Sequence, residues 1–141
     1  CLNLFKEIHT IEPFKDMGGR IEQFNSQNDY NWDTIYNEFQ INTRLFDNIT
    51  LHKDFSYNVV DKFEDNSVDF IYIDGDHSYD AVTKDLEMYL PKLKHNGVIG
   101  GHDYSENDQY NKQNTIKAVN NIVGKPDKVF VDSSWVKQIN Q

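Results

Sequence analysis

Residues 68–82 read VDFIYIDGDHSYDAV, and the fold turns on how that stretch is divided. Val68, Phe70, Ile71, Tyr72 and Ile73 are β-branched or aromatic, so 68–73 predict a strand that is central in its sheet and covered on both faces. The run stops at Asp74, Gly75, Asp76 and His77. Ser78 then suits a helix N-cap, Asp80 lies near the positive end of the helix dipole, and Val82, Leu86, Tyr89, Leu90 and Leu93 supply a buried stripe. Pro91 predicts a kink or a restart of that helix.

Outward from this unit the same alternation continues. "EIHTIE" (7–12) predicts a short strand stopped by Pro13, and residues 15–29, with Gly18 and Gly19, read as a surface loop. From Asn31, a candidate N-cap, to Phe46 the apolar residues Trp32, Ile35, Tyr36, Phe39 and Leu45 recur near helical spacing. "NITLHKD" predicts a strand and "SYNVVDKF" a short helix before a turn at Asp65-Asn66. "HNGVIGGHD" predicts a glycine turn, a strand over Val98–Gly101 and a polar exit. "TIKAVNNIVG" places Ile116, Val119 and Val123 on one helix face with Gly124 as the stop. Two strands, "KVFVD" and "SWVKQI", close the chain. Strands alternating with helices imply βαβ units, a mostly parallel sheet and an antiparallel pair at one edge.

Composition limits the functions on offer. The 141 residues fit one compact domain, 1–141, and carry 14 basic against 23 acidic side chains, a formal charge of -9. A nucleic-acid backbone would be repelled, and no apolar run is long enough to span a bilayer, so neither nucleic acid nor membrane is an expected partner. The single cysteine, Cys1, cannot close an internal disulfide, which fits a cytoplasmic setting.

In open α/β sheets ligands bind beyond the carboxyl ends of the strands. Four such ends carry polar groups: Glu12, Asp54, the Asp74–His77 cluster, and His102-Asp103. Asp74, His102 and Asp103 make a plausible mixed oxygen and nitrogen metal site, suited to Mg²⁺, Mn²⁺ or Fe²⁺, with the imidazole favouring Mn²⁺ or another transition metal. The structural alternative is that Asp74 caps its own loop and His102 is a satisfied polar residue. His77, three residues past Asp74 at a helix start, suits a proton acceptor, or else a histidine bonded to a carbonyl. Glu12 suits the hydroxyls of a ribose, and Asp54 with Phe55 the edge and face of an adenine; either set also reads as ordinary loop residues. Asp76 suits a structural bond at the turn around Gly75. Tyr79, Trp32 and Trp135 are expected in the core.

The segment 67–104 containing "VDFIYIDGDHSYDAVTKDLEMYLPKLKHNGVIGGHDY", with "TIKAVNNIV" and "VFVDSSWVKQI", resembles the class I S-adenosylmethionine-dependent methyltransferases. It is most similar to their small-molecule branch, the macrocin O-methyltransferase-like and cephalosporin-hydroxylase-like proteins. The resemblance implies a Rossmann-like sheet and S-adenosylmethionine as cofactor. It implies that Glu12 holds the ribose, that Asp54 and Phe55 contact the adenine, and that Asp74 lies against the cofactor. It further implies Asp74, His102 and Asp103 as ligands of a divalent Mg²⁺ or Mn²⁺, and His77 as the catalytic base. His102 stands where many metal-dependent relatives carry an acid. The family's first strand and glycine-rich loop have no counterpart, since Gly18-Gly19 follows the second strand, so an N-terminally incomplete domain is expected.

The implied activity is O-methylation of a hydroxyl on a small-molecule acceptor, and a homo-oligomer is compatible with it. Two rivals stand beside it. Asp74-Gly75-Asp76 is also a DxD pattern, as in a nucleotide-sugar glycosyltransferase, and a Rossmann-like fragment can bind without turnover.

Overall fold

A computed structural model describes residues 4–15, 31–107 and 113–140, and the chain divides into two compact units, Cys1–Val59 and Val60–Gln141. The loop expected over 15–29 lies almost entirely outside the described residues.

In the first unit, strands β1 (Ile8–Ile11) and β2 (Ile49–His52) pair in parallel, Ile8 with Ile49 and Ile11 with His52. Helix α1 (Trp32–Thr43) connects them. It starts where the sequence predicts, because the Asn31 carboxamide oxygen accepts from the N–H groups of Asp33 and Thr34 and satisfies two of the donors that a helix start leaves open. Trp32, Ile35, Tyr36 and Phe39 are half-buried, and Phe14 meets Tyr36 and Phe39 edge-on. Leu45 departs from the expected stripe: the helix ends at Thr43, and Leu45 is 84% exposed. A single helical turn, α2 (Ser56–Val59), closes the unit.

The second unit opens with a 3₁₀ turn (Val60–Lys62) and carries β3 (Val68–Ile73), α3 (Tyr79–Tyr89), a 3₁₀ turn over Leu90–Lys92, β4 (Leu93–Gly101), α4 (Asn114–Ile122), β5 (Lys128–Val129) and β6 (Trp135–Gln138). Its sheet runs β3-β4-β6-β5, with β3 and β4 parallel and β6 antiparallel to both of its neighbours. The parallel β3–β4 pair and the antiparallel β6–β5 pair at the edge are those read from the sequence, and β6 also pairs antiparallel with β4. Ser78 caps α3 by accepting from the Ala81 N–H. Pro91 restarts the chain as the 3₁₀ turn, as a residue without an N–H to offer must.

The core joins Val82 and Leu86 of α3, Ala118 and Val119 of α4, and Leu93, Ile99 and Trp135 of the sheet. Ile71 and Ile73 pack against it from β3.

Other sequence expectations need correction. Among the described residues β3 stands at the end of the second unit's strand order, and Phe70 and Tyr72 on one of its faces are 38% and 46% exposed, where the sequence predicts a strand covered on both faces. Its alternation sends Ile71 and Ile73 to the core while the two aromatics line the other face, a pattern that strand propensity alone does not separate from a doubly covered strand. The buried side of α4 is Thr115, Ala118 and Val119, one step round from the face predicted through Ile116. β5 holds only two residues, because Phe130–Ser134 turn back on themselves through bonds from Phe130 N–H to the Ser134 carbonyl and from Ser133 N–H to the Phe130 carbonyl.

Gly100 and Gly101 are strand residues, selected by close approach on both sides. A Cβ at Gly100 would lie 2.6 Å from the Trp135 carbonyl oxygen, and one at Gly101 would overlap the Ile73 carbonyl oxygen and sit 3.0 Å from the Trp135 indole nitrogen. Backbone must move to admit either. Gly101→Ala is therefore expected to destabilise the chain by about 3 kcal/mol, the upper part of the overpacking range, in urea denaturation; a change below about 0.5 kcal/mol would show that the strands yield easily.

Candidate functional site

The pairing of Ile73 with Gly101 sets the carboxyl ends of β3 and β4 level, and the His102 N–H extends the ladder by donating to the Ile73 carbonyl at 3.1 Å. Asp74 and His102 therefore leave the sheet side by side. Asp103 takes a left-handed conformation, φ 59°, which an aspartate tolerates better than most residues. The turn is held from outside: Tyr104 N–H donates to the Ser133 carbonyl, and Ser105 N–H to the Asp103 carbonyl.

One ligand atom from each of Asp74, His102 and Asp103 lies within 4.8 Å of the others. Around an octahedral ion with bonds of about 2.1 Å, ligand atoms stand about 3 Å apart when adjacent and about 4.2 Å when opposite. The donor set fits such an ion after small side-chain movements. Two carboxylates and one imidazole suit a hard or borderline divalent cation and offer no thiolate.

His77 joins the same group from the start of α3. Its Nδ1 lies 2.9 Å from Asp103 Oδ2 and its Nε2 3.4 Å from Asp74 Oδ1, while Asp103 Oδ1 is 3.4 Å from His102 Nδ1. Both ring nitrogens face carboxylate oxygens. In the neutral tautomer whose Nδ1–H donates to Asp103 at the shorter contact, Nε2 carries the lone pair. The four side chains are 27% to 50% exposed, so a ligand can reach them.

Asp76 has a different task, as expected from its place in the turn. Its Oδ1 accepts from the Ser78 N–H at 2.7 Å and fixes the entry to α3. The converging acids are thus Asp74 and Asp103, with Asp76 tied into the helix start.

The loop before β6 was not foreseen in the sequence as part of this surroundings. Ser134 N–H, the largest influence on Asp132, holds that carboxyl below its usual range, and His102 acts on it in the same direction. Tyr72 Oη lies 3.1 Å from Ser134 Oγ. The "DSSW" turn carried no local sign of this, because the antiparallel return of β6 onto β4 brings it there. A cleft of about 630 Å³ opens beside Tyr104, lined by Glu106, Gln113, Ile116, Asn120 and Lys125.

The remaining predicted residues belong to the first unit. Glu12 and Asp54 follow β1 and β2 at the same end of that sheet, with the Glu12 N–H donating to the His52 carbonyl. Glu12 Oε1 accepts from Phe14 N–H. Asp54 Oδ1 accepts from the Phe55 N–H and the Asn58 carboxamide, bonds that order the start of α2. Phe55 stacks on Tyr57 with ring centroids 5.2 Å apart, and the Lys15 ammonium lies 4.3 Å from its centroid.

Comparison with known proteins places these residues in context. A family model described as a methyltransferase domain matches residues 2–104. The uncharacterized protein y4gI of Sinorhizobium fredii is 43% identical over 44 residues, which cover 31% of this chain and 5% of that protein. The crystal structure of a Corynebacterium glutamicum protein superposes with a TM-score of 0.62 at 9% identity, covering 96% of this chain and 61% of that one. A structure described as a possible exported protein from Bordetella parapertussis gives a TM-score of 0.52 at 13% identity, over 96% and 54%. At such identities the two structures speak for the fold alone. The chain spans less than two thirds of the length of each of these proteins.

Proposed function

The chain belongs to the methyltransferase-domain family, and from that premise we propose that it transfers the methyl group of S-adenosylmethionine to a hydroxyl oxygen of a small molecule. The observation that carries the reading is the convergence of Asp74, His102 and Asp103 with His77 at two adjoining strand ends. The family model runs over residues 2–104, which come from both units.

In this reading Asp74, His102 and Asp103 hold a divalent Mg²⁺ or Mn²⁺. When bound, the cation supplies positive charge that makes the acceptor hydroxyl more acidic. His77 Nε2 removes the hydroxyl proton, and Asp103 keeps the ring oriented by accepting from Nδ1–H. The acceptor oxygen attacks the methyl carbon in line, the carbon–sulfur bond breaks, and S-adenosylhomocysteine leaves as a neutral thioether. No covalent enzyme intermediate is needed, so positioning dominates. Glu12 takes the ribose hydroxyls through its second carboxylate oxygen, Asp54 and Phe55 the adenine, and Asp74 borders the methionine end.

Calorimetric titration of the full-length protein tests the assignment. S-adenosylhomocysteine is expected to bind and UDP to give no heat. Binding of UDP alone would transfer the site to a nucleotide-sugar chemistry, and binding of neither would leave a non-catalytic module.

A further inference from the structure

The parallel register of β1 and β2 brings two histidines together that the proposed methyl transfer does not use. His9 pairs with Thr50 and His52 with Ile11, so the two imidazoles lie diagonally on one face of the strand pair. His9 Nδ1 and His52 Nε2 are 3.0 Å apart, and the rings lie 5.2 Å apart at 20°. Glu7 Oε2 lies 3.9 Å from the other nitrogen of His9, Nε2.

The bond between the rings requires one nitrogen to donate and the other to accept. The Glu7 carboxylate, 3.9 Å away and beyond hydrogen-bond reach, biases the His9 proton toward Nε2 through its charge alone, and in that tautomer His9 Nδ1 accepts and His52 Nε2 donates.

Two nitrogens bound at about 2.1 Å to one ion stand about 3.0 to 3.4 Å apart, so this pair, 3.0 Å apart as a hydrogen bond, can share an ion without a large movement. Two imidazoles with water in the remaining positions suit Cu²⁺ or Ni²⁺ by ligand type and by the order of divalent affinities. The His9 side chain is 35% exposed, open enough to admit the ion with water in the remaining positions.

We propose that His9 and His52 form a bidentate site for Cu²⁺ or Ni²⁺ on the first unit, with the Glu7 charge close by. Binding replaces the inter-ring hydrogen bond by two metal–nitrogen bonds. The His52 proton moves from Nε2 to Nδ1 through solvent, so both rings stay neutral and none is released. Mg²⁺ has no use for a site of two imidazoles.

Histidine-resolved NMR of the full chain tests this independently of any methyl transfer. Substoichiometric Cu²⁺ is expected to broaden the ring resonances of His9 and His52 together, and Mg²⁺ to leave them unchanged. In His9→Asn the broadening at His52 should need about tenfold more Cu²⁺, because the second ligand is no longer held beside it. Long-range ¹⁵N spectra of the metal-free wild type provide a test that no variant can confound: they should show His52 protonated at Nε2. Broadening confined to His77 or His102, broadening of only one of the pair, or an unchanged His52 response in His9→Asn would each overturn the proposal.

Discussion

Replacing Asp74 by alanine is expected to lower methyl transfer about a thousandfold while changing the stability of the chain by no more than about 0.5 kcal/mol. The two halves of that expectation have separate physical origins. Asp74 stands just past the last residue of β3 with its side chain half exposed, and its contact with His77 is long, at 3.4 Å. Little packing is lost with it. On the proposed reading its removal would leave His102 and Asp103 as the two remaining donors, so the cation would bind weakly and the acceptor hydroxyl would keep its ordinary acidity. A bound divalent ion contributes several kcal/mol of charge stabilisation, and about 4 kcal/mol corresponds to the thousandfold loss.

Chelation of the wild-type protein should reproduce the defect, and Mn²⁺ or Mg²⁺ should reverse it in the wild type but not in the variant. Radiolabelled methyl transfer before and after EDTA measures the effect. Full turnover in Asp74→Ala and after chelation would remove the cation from the reaction and leave the four side chains as an ordinary surface hydrogen-bond group.

How much of this could be read from the sequence depends on how local each cause is. The bounds of β3, Val68–Ile73, follow from composition, since the apolar run begins after Asn66-Ser67 and ends at Asp74. The Asn31 cap and the Pro91 restart are decided by one side chain each and were equally legible. The grouping of Asp74 with His102 and Asp103 needed one more step, the inference that β3 and β4 are neighbours, and the observed pairing supplies it. Nonlocal causes escaped. The return of β6 onto β4 brings Asp132 and Ser134 near His102 and Tyr72, and nothing within "VDSSW" announces it. Strand propensity likewise cannot say which face of β3 is covered, because an aromatic on an uncovered face and one in a core are spelled alike. The meeting of His9 and His52, 43 positions apart, depends on a parallel register that no short window contains.

His77→Ala carries the second large effect, and it isolates proton transfer from metal binding. A positioned general base contributes about 10²- to 10⁴-fold, so turnover should fall by that factor while S-adenosylhomocysteine binds as before. His77 is not among the three proposed metal ligands, so the Mn²⁺ dependence of the residual activity should match the wild type. Loss of a merely structural histidine would give a different pattern, with cofactor affinity and stability falling alongside turnover. Imidazole added to His77→Ala should restore part of the rate, because the His77 side chain is one third exposed and a free base can reach the space it leaves. Asp103→Asn should be as damaging as His77→Ala or more, since it removes a ligand and the acceptor of the Nδ1–H bond at 2.9 Å in one change. The double variant should be little worse than Asp103→Asn alone, because a base without its orienting carboxylate has already lost most of its use, and residues acting as a unit do not add. Strict additivity of the two losses would separate His77 from Asp103 and return the histidine to the role of helix-entry side chain.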